Sequence, residues 1–181
     1  MDDYRHLSKF ISLILRHKPE VIGIKLDNFG WANVEDLIIG IKNSGKDINL
    51  DILTQIVLND DKRRYSFNED KTLIRANQGH SIQVDVNLDE KVPPNVLYHG
   101  TGQKSVSSIK HQGIMPMTRL YVHLSSDIDT AIKVGKRHGN PYVFTIDTKT
   151  MFNDGIKFYL SENGIWLTKY VDSKYLIDTN K

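Results

Sequence analysis

The chain contains no cysteine, which removes disulfides, thiolate nucleophiles and cysteine-ligated zinc from the ways it could be stapled or do chemistry. A reducing compartment is thereby permitted. No apolar run approaches the ~20 residues needed to span a bilayer. The opening Met1-Asp2-Asp3-Tyr4-Arg5 is acidic and leads into an amphipathic stretch, unlike a signal peptide. The expectation is a cytoplasmic monomer with no membrane contact. His6, His80 and His111 have no metal-ligand spacing, and no metal is expected. No G-x-G-x-x-G follows a strand, so a Rossmann dinucleotide fold has no support. Internal repeats and low-complexity segments are also absent.

What is present is 181 residues, 39% of them hydrophobic, enough to bury roughly two-thirds of the unfolded surface in one domain or two small ones. The net charge of +2 hides an asymmetry: residues 1–90 carry 12 Lys+Arg against 15 Asp+Glu, and residues 91–181 carry 12 against 7. A generic nucleic-acid binder is basic throughout its binding domain, and this first half is slightly acidic. Its cations are instead clustered at Arg16-His17-Lys18 and Lys62-Arg63-Arg64, which suits local phosphate capture.

Leu7, Phe10, Ile11 and Ile14 recur at helical spacing, predicting a helix from Tyr4 to Arg16 that stops before Pro19. A second helix follows Gly30-Trp31 with Asn33 as N-cap, and a third starts at Asn49 or Asp51 and ends at Asn59-Asp60. Arg64–Phe67 and Thr72–Arg75 read as strands around a polar turn. Three helices and a hairpin make a winged-helix pattern over residues 1–85. Residues 86–95, acidic and holding Pro93-Pro94, are the expected linker. Beyond it, strands at Val96–Tyr98, Leu120–Leu124, Tyr142–Ile146, Lys157–Leu160 and Ile165–Leu167 alternate with helices at Ser105–Gln112 and Asp127–Lys136. The expected class is α+β.

Tyr98-His99-Gly100-Thr101 places an imidazole, a residue without Cβ and a hydroxyl where a strand is expected to open into a loop, so backbone and side chains can both approach a ligand. Alone, it fits a turn with a packed histidine equally well. Val122-His123-Leu124-Ser125 is a second strand with a polar outlet, and Gly135-Lys136-Arg137-His138-Gly139 follows. Phosphate monoesters carry about −1.5 to −2 charges near neutral pH, and a guanidinium presents paired donors that match their oxygens. Arg16, Arg64 and Arg119 come from three distant segments and could form such a clamp. Lys62, Arg63 and Arg75 read as solvated surface cations. His17 could simply cap its helix.

Leu15-Arg16-His17-Lys18-Pro19, Asp61-Lys62-Arg63-Arg64-Tyr65, Arg75-Ala76-Asn77-Gln78-Gly79-His80-Ser81, His99-Gly100-Thr101 and Arg119 to Ser125 together resemble the NAD-dependent RNA 2′-phosphotransferases, over nearly the whole chain. Tyr65 stands where Phe is commoner. The resemblance implies a winged-helix RNA lobe followed, over residues 96–181, by a split β-sheet lobe like that of ADP-ribosyltransferases, with the reaction in a cleft between them. It implies that NAD is held by His99, Gly100, Thr101, His123, Ser125, His138 and Gly139, with Gly100 using its backbone toward the nicotinamide carboxamide. Arg16, His17, Arg64 and Arg119 would be catalytic, and His80 substrate-adjacent with its role open.

The Glu-x-Glu of protein-modifying relatives is missing around Asn163–Thr168. The implied partner is RNA bearing a 2′-phosphate, such as spliced tRNA. Its phosphate would attack the nicotinamide ribose carbon, and the ribose 2″-hydroxyl would then attack phosphorus, giving 2′-OH RNA, nicotinamide and ADP-ribose 1″,2″-cyclic phosphate. Two alternatives stand beside this: an ADP-ribosyltransferase leaving a stable ADP-ribose on protein or nucleic acid, and a non-enzymatic NAD-sensing winged-helix regulator.

Overall fold

The computed structural model describes residues 4–85 and 88–177. Its chain divides into two compact units, Met1–Asn87 and Leu88–Lys181. Both mix helices with small antiparallel sheets. Among the described residues no helix is long and apolar enough to cross a membrane.

The first unit begins with α1 (Arg5–Arg16), whose apolar stripe buries Ile11, Ile14 and Leu15. The helix closes because the N–H groups of His17 and Lys18 both donate to the Leu13 carbonyl (3.0 and 2.9 Å), just ahead of Pro19. The Asp27 carboxylate then accepts from the N–H groups of Phe29 and Trp31, and Gly30 supplies the positive φ (82°) that turns the chain into β1 (Trp31–Asn33). α2 (Val34–Asn43) is capped by Asn33, whose side chain accepts from Asp36 N–H, and α3 (Leu50–Leu58) is capped in the same way by Asn49. β2 (Tyr65–Phe67) and β3 (Leu73–Ala76) complete a sheet ordered β1-β3-β2. Strand β1 was not anticipated from sequence: three residues flanked by a turn and a helix cap carry no readable alternation.

In the second unit β4 (Asp89–Glu90) leads to β5 (Val96–Gly102), α4 (Val106–Gln112), β6 (Val122–Leu124) and α5 (Ile128–Gly135). They are followed by β7 (Pro141–Asp147), α6 (Thr148–Asn153), β8 (Tyr159–Leu160), β9 (Trp166–Thr168) and β10 (Leu176–Ile177). One sheet is ordered β10-β7-β5 and the other β4-β8-β9-β6. A backbone bridge links them, in which Tyr98 and Ser125 exchange hydrogen bonds of 2.9 and 2.8 Å. A core of Leu97, Val122, Leu124, Ile146, Met151, Phe158 and Trp166 fills this unit.

Two expectations need correction. The stretch expected as a linker at 86–95 is, from residue 88 on, part of the second unit: β4 pairs with β8, Lys91 N–H donates to Phe158 O, and Thr148 Oγ donates to the carbonyl of Pro94 at 2.5 Å. Pro93 is buried. Prolines stop regular structure but do not prevent packing, which is why the composition misled; Val86 and Asn87 lie outside the described residues. The strand expected to end at Tyr98 runs on to Gly102, so His99, Gly100 and Thr101 sit within β5 rather than in a loop after it. Glycine weakens strands in general, but here helix packing demands it. A Cβ at Gly100 would lie 1.7 Å from the Ala131 carbonyl oxygen, and one at Gly102 would lie 2.4 Å from that of His138.

Candidate active site

The first unit assembles a cationic cluster at the end of α1. Arg16 and His17 lie where helix carbonyls favour positive charge. Against them runs the segment after β3: Ser81 N–H donates to the Arg16 carbonyl (3.0 Å), and Ser81 Oγ lies 2.9 Å from His17 Nδ1. Gly79, at φ 87°, lets this segment pass beside the Arg16 guanidinium. Between them His80 is only 3% exposed, and its Nε2 is buried without a hydrogen-bond partner. Burial first, then the positive charges of Arg16, His17 and Arg75, lower its pKa to about 4. At neutral pH His80 is therefore uncharged. Asn77, 4% exposed, has a similarly unpartnered side-chain oxygen, while its amide nitrogen donates to the Arg63 carbonyl at 2.7 Å.

Arg75 departs from its expected place as a solvated cation. It is half-buried on the central strand β3, directly opposite Trp31, with its guanidinium 4.6 Å from the indole ring centre. Arg64 stands just before β2, and its guanidinium donates to the Asp60 carboxylate. The same carboxylate accepts from the Arg64 N–H, so one buried acid shapes the tight turn and orients the arginine. Asp60 was missed in the sequence; its signal is the i,i+4 spacing to Arg64 across the turn.

The second unit builds a relay on β5 and β6. Arg119 Nη1 donates to His123 Nδ1 (3.2 Å), and His99 Nδ1 donates to the His123 carbonyl (3.1 Å). A guanidinium can only donate and a carbonyl can only accept, so both protons are assigned. His123 Nδ1 is bare, and neutral His99 keeps its proton on Nδ1, which leaves Nε2 as a lone-pair acceptor. Burial is the main cause that lowers the His99 pKa; the His123 carbonyl opposes it, and His138 and Arg119 add to it. Burial and Arg137 likewise pull Arg119 below its ordinary value. Thr101 and Ser125 are buried beside this relay, on β5 and at the Tyr98 bridge.

Gly100 has a second property besides its missing Cβ. Along a strand the N–H and C=O of successive residues face opposite edges. Those of Tyr98 face Ser125, so those of Gly100 face the same edge one step further, where no described strand pairs with β5. His138 is brought to the site, its carbonyl against Gly102 and its charge felt by His99. Gly139 follows at φ 109° and turns the chain toward β7. The sequence-expected residues thus fall into two clusters, Arg16 and His17 in one unit and His99, Gly100, Thr101, Arg119, His123, Ser125 and His138 in the other.

Both clusters set a neutral imidazole among guanidinium groups, His80 buried and His99 half-buried, an arrangement of the class that suits a polar, phosphate-bearing ligand. Comparison with known proteins narrows the class. The pattern described as "RNA 2′-phosphotransferase, Tpt1 / KptA family" matches residues 2–170. A protein of Fusobacterium nucleatum named "Probable RNA 2′-phosphotransferase" is 55% identical over 177 residues, covering 97% of this chain and 99% of its own. One of the same name from Flavobacterium johnsoniae is 51% identical over 172 residues (95% and 94%), and one from Burkholderia pseudomallei 47% over 169 (93% and 92%). The chain belongs to the RNA 2′-phosphotransferase family, and is a transferase.

Proposed function

We propose that this protein removes an internal 2′-phosphate from RNA by transferring it to NAD, giving 2′-OH RNA, nicotinamide and ADP-ribose 1″,2″-cyclic phosphate. The first unit, with its α1-β1-α2-α3-β2-β3 order, is read as a winged-helix RNA lobe. The second, with two small antiparallel sheets bridged at Tyr98 and Ser125, is read as an ADP-ribosyltransferase-like lobe that takes NAD. The observation that carries the reading is the relay Arg119–His123–His99 beside the open edge of Gly100.

The donor set fits NAD. A carboxamide needs one acceptor and one donor side by side, which a single strand residue offers through its N–H and C=O, and Gly100 presents both. Ribose hydroxyls donate, and His99 Nε2 is poised to accept; Thr101 and Ser125 add hydroxyls. NAD supplies an electrophilic ribose carbon with a cationic leaving group, so the protein need only hold the attacking phosphate in place. That task falls to Arg16, Arg64 and Arg119, which also neutralise the charge that builds as phosphorus is attacked. His17 moves the proton at that step. Asp60 keeps Arg64 in one orientation rather than removing it from use, because a guanidinium has five N–H donors.

The test is to incubate the protein with NAD and a short oligonucleotide bearing one internal 2′-phosphate, then resolve nucleotide and RNA products together. Loss of the phosphate with release of the cyclic nucleotide is expected. An ADP-ribose that stays on the RNA after long incubation would make the protein an ADP-ribosyltransferase instead, and unchanged NAD would overturn the reading.

A further inference from the structure

We propose that Ser81 is the positioning residue for His17, holding its ring in one orientation through changes of protonation. The role in catalysis rests on the function proposed above; the positioning itself does not.

Two contacts from one residue carry the inference. Ser81 N–H donates to the Arg16 carbonyl at 3.0 Å, one of the carbonyls that a helix end leaves without an intrahelical partner. Its hydroxyl lies 2.9 Å from His17 Nδ1, across 64 residues of sequence. An exposed hydroxyl ordinarily competes with water for a ring nitrogen, and the backbone bond reduces that competition by holding Oγ beside the ring. Gly79, two residues earlier, adopts φ 87° and admits the segment close to Arg16. The run from Gln78 to Ser81 therefore grips the two residues at the end of α1 from a distant part of the chain.

The hydroxyl suits a histidine that changes protonation. With His17 neutral, the Ser81 hydroxyl donates to a bare Nδ1 or accepts from Nδ1–H, according to the tautomer. With His17 protonated, Nδ1–H donates to the same oxygen. The ring keeps its partner in both states, so a proton can be gained or lost without the imidazole reorienting. An alanine at 81 keeps the backbone bond and loses this contact, and because Ser81 is exposed the substitution leaves the fold intact.

The experiment compares wild type, Ser81→Ala and Ser81→Thr in the full chain by nitrogen NMR of the His17 ring and by steady-state kinetics on the 2′-phosphorylated oligonucleotide. Wild type should show an Nδ1 shift displaced by its hydrogen bond to the hydroxyl. Ser81→Ala should move that shift toward the value of a water-exposed ring and give a kcat about tenfold lower, near the worth of one hydrogen bond, with KM unchanged. Ser81→Thr, which retains the hydroxyl, should restore both. Ring shifts identical in wild type and Ser81→Ala would overturn the proposal. So would a Ser81→Thr variant as impaired as the alanine. If wild type lacks phosphotransferase activity altogether, the proposed function fails while the nitrogen shifts still decide whether Ser81 holds the His17 ring.

Discussion

Each unit sets a histidine beside arginines, buried at His80 and half-buried at His99, and in both the imidazole is driven toward its neutral form, but the two are held in opposite ways. His99 has a partner: Nδ1 donates to the His123 carbonyl, which favours the charged form and works against burial. His80 has an orphaned Nε2, and the charges of Arg16, His17 and Arg75 act with burial rather than against it. A fixed tautomer suits a histidine that must offer one particular lone pair to a ligand. A neutral ring among cations instead keeps charge density down while filling space beneath Arg16 and His17. In the proposed function that difference follows the division of labour, with NAD recognition in the second unit and phosphate handling shared between the first unit's Arg16 and Arg64 and the second unit's Arg119.

The largest effect should come from breaking the second unit at its closest approach. Gly100→Ala places a methyl 1.7 Å from the Ala131 carbonyl oxygen, an overlap that side-chain movement cannot relieve because the obstacle is helix backbone. Strand β5 and helix α5 must separate. The expected loss exceeds ~4 kcal/mol, beyond what most single substitutions cost. Thermal unfolding followed by circular dichroism should show the second unit's structure lost at temperatures where wild type is folded; a wild-type melting curve would contradict the packing described.

Next come the side chains assigned to the reaction. Removing one donor aimed at developing charge typically costs about 10²–10³ in rate. In the proposed reaction only the second step adds charge at phosphorus and expels an RNA 2′-oxygen. His17→Ala, Arg64→Ala and Arg119→Ala should therefore slow that step more than the first, so that RNA carrying ADP-ribose on its 2′-phosphate accumulates transiently. Denaturing gels of labelled RNA over time would display it as a retarded band. If all three variants lose activity with no such band and unchanged NAD binding, these residues serve chiefly the first step.

How much of this was legible in the chain differs between the units. The helices of the first unit and their Asn33 and Asn49 caps were readable because capping and apolar periodicity are local. So were the motifs that carry the family resemblance, each a short run. What could not be read was contact between runs. Arg75 looked like a surface cation, since nothing near it in sequence announces that β3 lies opposite Trp31. The strand through Gly100 and Gly102 was cut short because glycine is usually a strand breaker; the helix that requires it arrives about thirty residues later. Short elements such as α6 and β10 follow tertiary contacts and left no periodic trace.

Acid should destabilise the first unit through His80. In the unfolded chain His80 binds a proton near pH 6.5, and in the folded chain not until about pH 4. The unfolded state therefore holds more protons in that window, and stability falls as pH drops from 6.5 toward 4. The full contribution is about 3 kcal/mol. His80→Gln, which cannot titrate, should flatten the dependence of the first unit's denaturant midpoint between pH 7 and 4.5. A slope equal to wild type would mean that His80 is not the group responsible.

The smallest effect tests the other side of the glycine comparison. A Cβ at Gly79 would meet the Arg16 guanidinium at 3.6 Å, an ordinary contact, so Gly79→Ala suffers no collision of the kind expected at Gly100. Its cost is backbone strain, since Gly79 sits at φ 87°, where an L-residue loses ~1–2 kcal/mol. The segment from Gln78 to Ser81 can shed that strain by shifting away from α1, and Ser81 is then drawn off His17. Gly79→Ala should thus melt only a few degrees below wild type, yet show the same displaced His17 Nδ1 shift as Ser81→Ala. Wild-type ring shifts in a Gly79→Ala protein of lowered stability would show that the strain is absorbed elsewhere, and that the grip on His17 does not depend on this turn.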